Sequence, residues 1–135
     1  MFSSIKTSRA NKETVTQLTN KLNLGAENII ARLAFSFSLN TGKRMNLAEI
    51  ADAGGKEYSS KVLFGDHADL YLALICVHYD LYKTDKDIPK YIKMHVDDGI
   101  KLIKEEIVDK DSITGTDFII NEIEKGLLSF ENIKS

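Results

Sequence analysis

The sequence predicts an all-α fold: a compact helical domain of about five helices with a short strand at its amino terminus. Three observations predict it. Apolar residues recur at three- and four-residue spacing through most of the chain, strand-like alternation never persists beyond three or four residues, and no repeat of solenoid length is present. A chain of 135 residues has room for one core, so one domain over 1–135 is expected, with 113–135 as a C-terminal helical extension.

Ile5, Lys6 and Thr7 form a short candidate strand. Ser8 stands where an N-cap belongs, its hydroxyl placed to accept a free N–H of a helix starting at Arg9. Ala10, Val15, Leu18 and Leu22 give that helix a thin apolar stripe, and Leu24 and Gly25 end it. A second helix, Ala26 to Leu39, carries Ile29, Ile30, Leu33, Ala34, Phe35, Phe37 and Leu39 around most of its circumference. Such a helix is expected to be central and to present apolar surface to an oligomer interface. Asn28, Arg32 and Ser36 leave it one polar line, on which the charge of Arg32 needs a partner.

From Asn40 to Asp66 the pattern weakens, and Gly42, Gly54, Gly55 and Gly65 punctuate an irregular segment with about one helical turn. A third helix is expected from Ala68 to Tyr82, well buried, with Leu70, Leu74, Val77 and Leu81 on one stripe and Tyr71, Ile75, His78 and Tyr82 beside it. Asp87 and Pro89 mark the start of a fourth, carrying Ile92, Val96, Ile100, Ile103 and Ile107. Ile119, Ile120, Ile123, Leu127 and Phe130 give a last amphipathic helix, capped at Thr116.

Composition narrows the function. Apolar residues make up 43% and charged residues 28% of the chain, as in ordinary folded proteins and unlike disordered ones. No apolar run is long enough to span a bilayer and no leader pattern opens the chain, so no membrane and a cytoplasmic location are expected. The lone cysteine, Cys76, excludes an internal disulfide and a multi-cysteine zinc site, and reads as a buried small hydrophobe rather than a nucleophile. His67, His78 and His95 lie on separate elements without helical metal-ligand spacing, so no metal or other cofactor is expected. His95 and Asp98 are placed for a local, structural pair. Gly42, Lys43 and Arg44 lack the earlier glycine and the following Ser or Thr of a phosphate-binding loop. Gly54, Gly55 and Lys56 are a weak candidate for presenting backbone N–H groups to an anion. No catalytic residues are identified, and a binding module rather than an enzyme is expected.

The net charge of −2 hides an asymmetry: nine Lys and Arg stand against five Asp and Glu up to Phe64, and nine against fifteen beyond it. The basic set of the first half, Lys6, Arg9, Lys12, Lys21, Arg32, Lys43, Arg44, Lys56 and Lys61, is the candidate DNA-binding site, since phosphate contacts need charge and no particular base sequence.

The order of strand, helix, glycine turn and apolar helix from Ile5 to Leu39 resembles ribbon-helix-helix proteins, whose strand pairs with a second copy. A sharper resemblance follows from four pieces in order: Ile29 to Leu39 (IIARLAFSFSL); Gly55, Lys56, Glu57 and Tyr58; Leu63, Phe64 and Gly65; and His95, Val96, Asp97, Asp98, Gly99 and Ile100. Over about Ile5 to Ile107 the chain resembles the DndE family of DNA phosphorothioation systems. The resemblance implies a helical protomer forming a homotetramer. It also implies binding of double-stranded DNA through surface lysines, with a preference for nicked duplex. The protein would act beside other Dnd modification proteins, which replace a non-bridging phosphate oxygen with sulfur in a restriction-modification setting. The rival expectations are an oligomeric interaction subunit that touches no DNA, and a ribbon-helix-helix repressor reading base edges with its strand.

Overall fold

The computed structural model describes residues 2–107 and 115–134, without the side chains of 116 and 126–134. In order, the elements are β1 (Ser4–Lys6), α1 (Ala10–Leu22), α2 (Glu27–Asn40), a 3-10 turn (Leu47–Glu49), β2 (Glu57–Ser59), α3 (Ser60–Phe64), a 3-10 turn (Gly65–His67), α4 (Ala68–Tyr79), α5 (Ile88–Ile107) and α6 (Gly115–Lys134). The protein is mostly helical, as the periodicity requires, with one two-stranded antiparallel sheet.

That sheet departs from the ribbon-helix-helix expectation. β1 pairs with β2 of its own chain, Ile5 opposite Tyr58 and Lys6 opposite Glu57. One edge of β1 is thereby paired within the chain, whereas a ribbon-helix-helix strand pairs with a second copy. Ile5 and Tyr58 point into the core while Lys6 and Glu57 face solvent, the alternation that a half-buried ribbon requires.

α1 begins one residue later than expected, and Ser8 is not its cap. The Ser8 hydroxyl is buried without a partner. The N–H groups at this helix start are met instead by distant carboxylates: Asp97 Oδ1 accepts from Ser8 N at 2.9 Å and Asp52 Oδ2 from Arg9 N at 2.9 Å. Its buried face runs through Asn11, Thr14, Val15, Leu18 and Leu22. The left-handed residue that closes it is Asn23, with φ 52°, one of the few non-glycine types that tolerate that conformation.

The core is the crossing of α2 over α5. α2 places Ile30, Ala31, Ala34, Phe35 and Ser38 inward, and α5 buries Ile92, Val96, Ile100, Ile103 and Ile107, the predicted stripe. The small residues of α2 meet Gly99, where a Cβ would lie 1.8 Å from the Ala34 carbonyl oxygen. Only glycine allows the two backbones to approach this closely. Most of the apolar circumference of α2 is therefore covered within the chain: Phe37 stacks on Phe118 of α6, Phe35 packs edge-on to Phe64 and Tyr71, and Leu33 and Leu39 are partly buried against the core. The inference from α2 to an oligomer interface loses its basis.

The exposed apolar surface lies on α4 instead. Ile75 is fully buried and Tyr71, Leu72 and Tyr79 are partly so, but Leu70, Leu74 and Val77, the predicted buried stripe, face outward. The neighbouring stripe of Tyr71 and Ile75 is the one that meets the core, Leu81 packs against it beyond the helix end at Tyr79, and the helix as a whole is less buried than expected. In α6, Phe118 is the buried anchor while Ile120 and Ile123 are exposed; Leu127, Phe130 and Thr116 lie outside the described side chains. No described helix is long and apolar enough to cross a membrane.

Candidate nucleic-acid interface

The irregular segment and the turns around the ribbon decide where the nine candidate cations stand. Lys6 lies in β1, Arg9 and Lys12 at the start of α1, and Lys56 and Lys61 within two residues of β2, so the five gather around the ribbon. Arg9, Lys12 and Lys61 are exposed and form no ion pair among the described residues. Lys6 faces Glu57 at 3.9 Å and Lys56 faces Glu27 at 3.6 Å, both partly exposed pairs of small energetic weight.

The other four are elsewhere. Lys43 and Arg44 follow the far end of α2, roughly 20 Å along a 14-residue helix from Glu27. There they pair with Asp98 at 3.0 Å and Asp80 at 3.2 Å. Lys21, in the last turn of α1, lies 3.5 Å from the Ile107 carbonyl oxygen. Arg32 donates to the Leu63 and Val62 carbonyl oxygens, and Asn28 also donates to Val62. This is the partner the polar line of α2 required: it satisfies the free carbonyls of α3, a helix too short to satisfy its own. The nine residues are not one patch, and Arg32 is a structural cap.

The backbone N–H groups of Gly54, Gly55 and Lys56 are occupied by the protein itself: Gly54 donates to Asp52 Oδ2 at 2.9 Å, Gly55 to the Thr7 carbonyl at 2.9 Å and Lys56 to Thr7 Oγ1 at 3.0 Å. Gly55 is needed because a Cβ there would stand 2.3 Å from the Ser8 carbonyl oxygen. Of the three expected anion-binding N–H groups only that of Gly54 meets a carboxylate, Asp52, whose pKa is lowered by hydrogen bonds from the Arg9 and Gly54 backbones.

The sequence did not reveal a polar cluster between α2, α4 and α5. Tyr79 Oη lies 2.6 Å from His95 Nε2, His95 Nδ1 lies 2.8 Å from Ser38 Oγ, and Ser38 Oγ donates to Asp98 Oδ2 at 2.6 Å. Met45 N donates to Tyr79 Oη at 3.0 Å, and Lys43 Nζ donates to Asp98 Oδ1 at 3.1 Å. One set of protons satisfies every bond: Met45 N–H to Tyr79, Tyr79 O–H to Nε2, Nδ1–H to Ser38, and Ser38 O–H to Asp98. The imidazole is then neutral. Burial, with His78 and its ring centroid 5.5 Å away as a second cause, pushes the His95 pKa down to about 4, and burial raises that of Tyr79.

His95 and Asp98 are thus linked through Ser38 rather than paired directly. Although serine, histidine and aspartate all occur here, the carboxylate holds the serine and not the imidazole. Ser38 and His95 are fully buried, so a substrate atom cannot reach either one. The arrangement fastens the 43–45 segment to the core. A second buried cluster centres on Asp97, which also takes Lys93 Nζ at 2.7 Å and Asn11 Nδ2 at 2.9 Å. The i,i+4 spacing of Lys93 and Asp97 was its only sequence signal. Cys76 is half-buried, with its thiol pKa raised by burial. No group of three potential metal ligands occurs among the described residues.

Fold and surface together define a small helical domain with a two-stranded amino-terminal ribbon, cations at the ribbon end and two buried polar clusters that tie its helices. Residues 4–111 match the family model described as DndE, DNA sulphur modification protein DndE, and the chain belongs to that family. Among solved structures it is similar to DndE from Escherichia coli B7A, involved in DNA phosphorothioation modification (21% identity, 76% of this chain and 98% of that chain covered, TM-score 0.62). It is also similar to a DndE mutant with two glycines replaced by lysine, involved in DNA phosphorothioation (23% identity, 76% and 98% covered, TM-score 0.63). At these identities the structural likeness establishes the fold. Comparison with curated proteins gives no match. α6 begins at Gly115, past the family match.

Proposed function

We propose that the chain is a DNA-binding accessory subunit of a DNA phosphorothioation system, a binding module rather than an enzyme, holding duplex by its backbone and favouring nicked duplex. One observation carries the DNA contact: Arg9, Lys12 and Lys61 project from the ribbon end with no carboxylate partner among the described residues, beside the weakly held Lys6 and Lys56. Cations so placed gain by displacing counterions from phosphate, whereas Lys43 and Arg44 would first have to leave their own carboxylates. Membership of a DNA sulphur modification family supports the same reading. The homotetramer implied by the resemblance belongs to this proposal and is measured by light scattering.

Replacing Arg9, Lys12 and Lys61 together with alanine tests it. Affinity for unrelated duplexes should fall about equally, and the log-log salt slope should flatten by about 0.9 for each phosphate that is no longer neutralised. Replacing the exposed Lys101 and Lys104 should change little. A triple variant that binds like the wild type at matched salt would overturn the assignment. Nicked and intact duplexes of one sequence, compared side by side, decide the nick preference. The exposed apolar face of α4 favours a second reading, an interaction subunit that touches no DNA, and absence of duplex binding at every salt concentration would select it.

A further inference from the structure

α4 carries two apolar stripes where a surface helix needs one. Ala68, Tyr71, Leu72, Ile75, Cys76 and Tyr79 form the inner stripe, packed against the core. Leu70, Ala73, Leu74 and Val77 recur at i, i+3, i+4 and i+7 on the outer side, with Leu70 59%, Leu74 44% and Val77 77% exposed. Beside this stripe runs a groove of about 330 Å³ lined by Ser36, Leu39, Asn40, Leu74, Val77 and His78, which is open between α2 and α4. Contiguous apolar surface of this kind on a folded domain marks an interaction site, and outward anchors at helical spacing suit a helix laid into a groove.

Charge identifies the occupant. From Val62 to Tyr82 the chain has no Lys or Arg, while Asp66, Asp69 and Asp80 flank the apolar stripe. Asp80 is taken by Arg44, but Asp66 and Asp69 are exposed and have no cation partner among the described residues. We propose that the outer face of α4 docks an amphipathic helix of another protein whose apolar stripe is flanked by lysine or arginine. A second copy of α4 carries no lysine or arginine of its own between Val62 and Tyr82 to set against Asp66 and Asp69. DNA and anionic lipid are repelled by the same carboxylates. The docking face uses none of the ribbon cations, so it stands whether or not the chain binds DNA.

The test uses the full chain and a labelled synthetic helix of about four turns with leucines at i, i+3, i+4 and i+7 and lysine flanks, read by fluorescence anisotropy. The lysine-flanked probe should bind, and a glutamate-flanked version of the same helix should bind more weakly. Leu74→Ser with Val77→Ser should weaken the probe by about tenfold or more while circular dichroism and duplex binding are unchanged. Asp66→Asn with Asp69→Asn should weaken it several-fold and reduce its salt dependence. Equal binding of both probes, or folded serine variants that bind as the wild type does, would overturn the proposal. So would a wild-type oligomer that the serine variants convert to monomer, because a second copy would then cover the face.

Discussion

The carboxylate of Asp97 on α5 receives the backbone N–H of Ser8 at 2.9 Å, 89 positions away in sequence, and the ammonium of Lys93 at 2.7 Å on its own helix. It thereby takes the place of a local cap for α1, and it pins the ribbon, α1 and α5 together. Both charges are nearly fully buried, so each depends on the other.

Asp97→Ala should therefore cost about 3–5 kcal/mol, because it leaves the nearly buried Lys93 ammonium with no counter-charge and only the Asp52 carbonyl oxygen as its partner. Removing both charges with Lys93→Met and Asp97→Leu should cost less than the single change, with the residual loss coming from the Ser8 N–H and Asn11 amide left without an acceptor. Urea unfolding of the two single variants and the double variant measures this. A double variant as unstable as the sum of the two singles would show that the charges do not act as a pair.

Gly99→Ala inserts a methyl group that would stand 1.8 Å from the Ala34 carbonyl oxygen. The neighbouring atoms are backbone, so α2 and α5 must move apart along their length. A loss of about 2–3 kcal/mol, at the upper end of overpacking, is expected by thermal or urea unfolding. The same change at Gly42, where nothing lies within 4 Å but φ is +81°, should cost less, through local strain alone.

How much of this was legible follows from what each feature depends on. The isoleucine stripe of α5 and the start near Pro89 could be read because they are local, one helix burying one face. α4 could not be placed, since both its sides are apolar and periodicity says nothing about which side meets the core. β2 was missed because Glu57, Tyr58 and Ser59 make a strand only against Ile5, more than fifty residues earlier. Within the cation set, Arg9, Lys12 and Lys61 remain candidates. The partners of Arg32, Lys43 and Arg44 lie on other elements and carry no sequence mark. The last of the pieces that carried the family resemblance is a set of joints: Asp97 ties α5 to the start of α1, Asp98 ties it to Ser38 and Lys43, and Gly99 lets it close on Ala34.

His95 gives stability a pH dependence. Its pKa, about 4 in the folded protein against an ordinary 6.5, means that the unfolded chain takes up a proton which the folded chain refuses. The contribution of the neutral imidazole is fully present above about pH 6.5 and is lost as the pH falls toward about 4. Protonation at Nε2 would also remove the acceptor of the Tyr79 hydroxyl. Melting temperatures across this window should fall more steeply for the wild type than for His95→Gln, even though the variant is less stable at neutral pH. Parallel curves would show that other groups dominate.

The ribbon end offers a prediction that unfolding cannot imitate, because it is a gain. Glu27 and Glu57 neutralise Lys56 and Lys6 at 3.6 and 3.9 Å. If these lysines face phosphate, the two carboxylates oppose binding, both by holding the cations and by their own repulsion. Glu27→Gln with Glu57→Gln keeps groups that can still accept the hydrogen bonds Glu27 takes from Thr16 Oγ1 and Glu57 from Ser4 Oγ, so the fold should be retained. Duplex affinity should rise several-fold at low salt, with a steeper salt slope and no change in sequence preference, since the added attraction is to the backbone. Neutralising Asp66 and Asp69, which hold no cation of the ribbon, should produce a smaller increase. An unchanged or weakened affinity in the Glu27 and Glu57 variant, measured on folded protein at matched salt, would place the DNA on a surface other than the ribbon end.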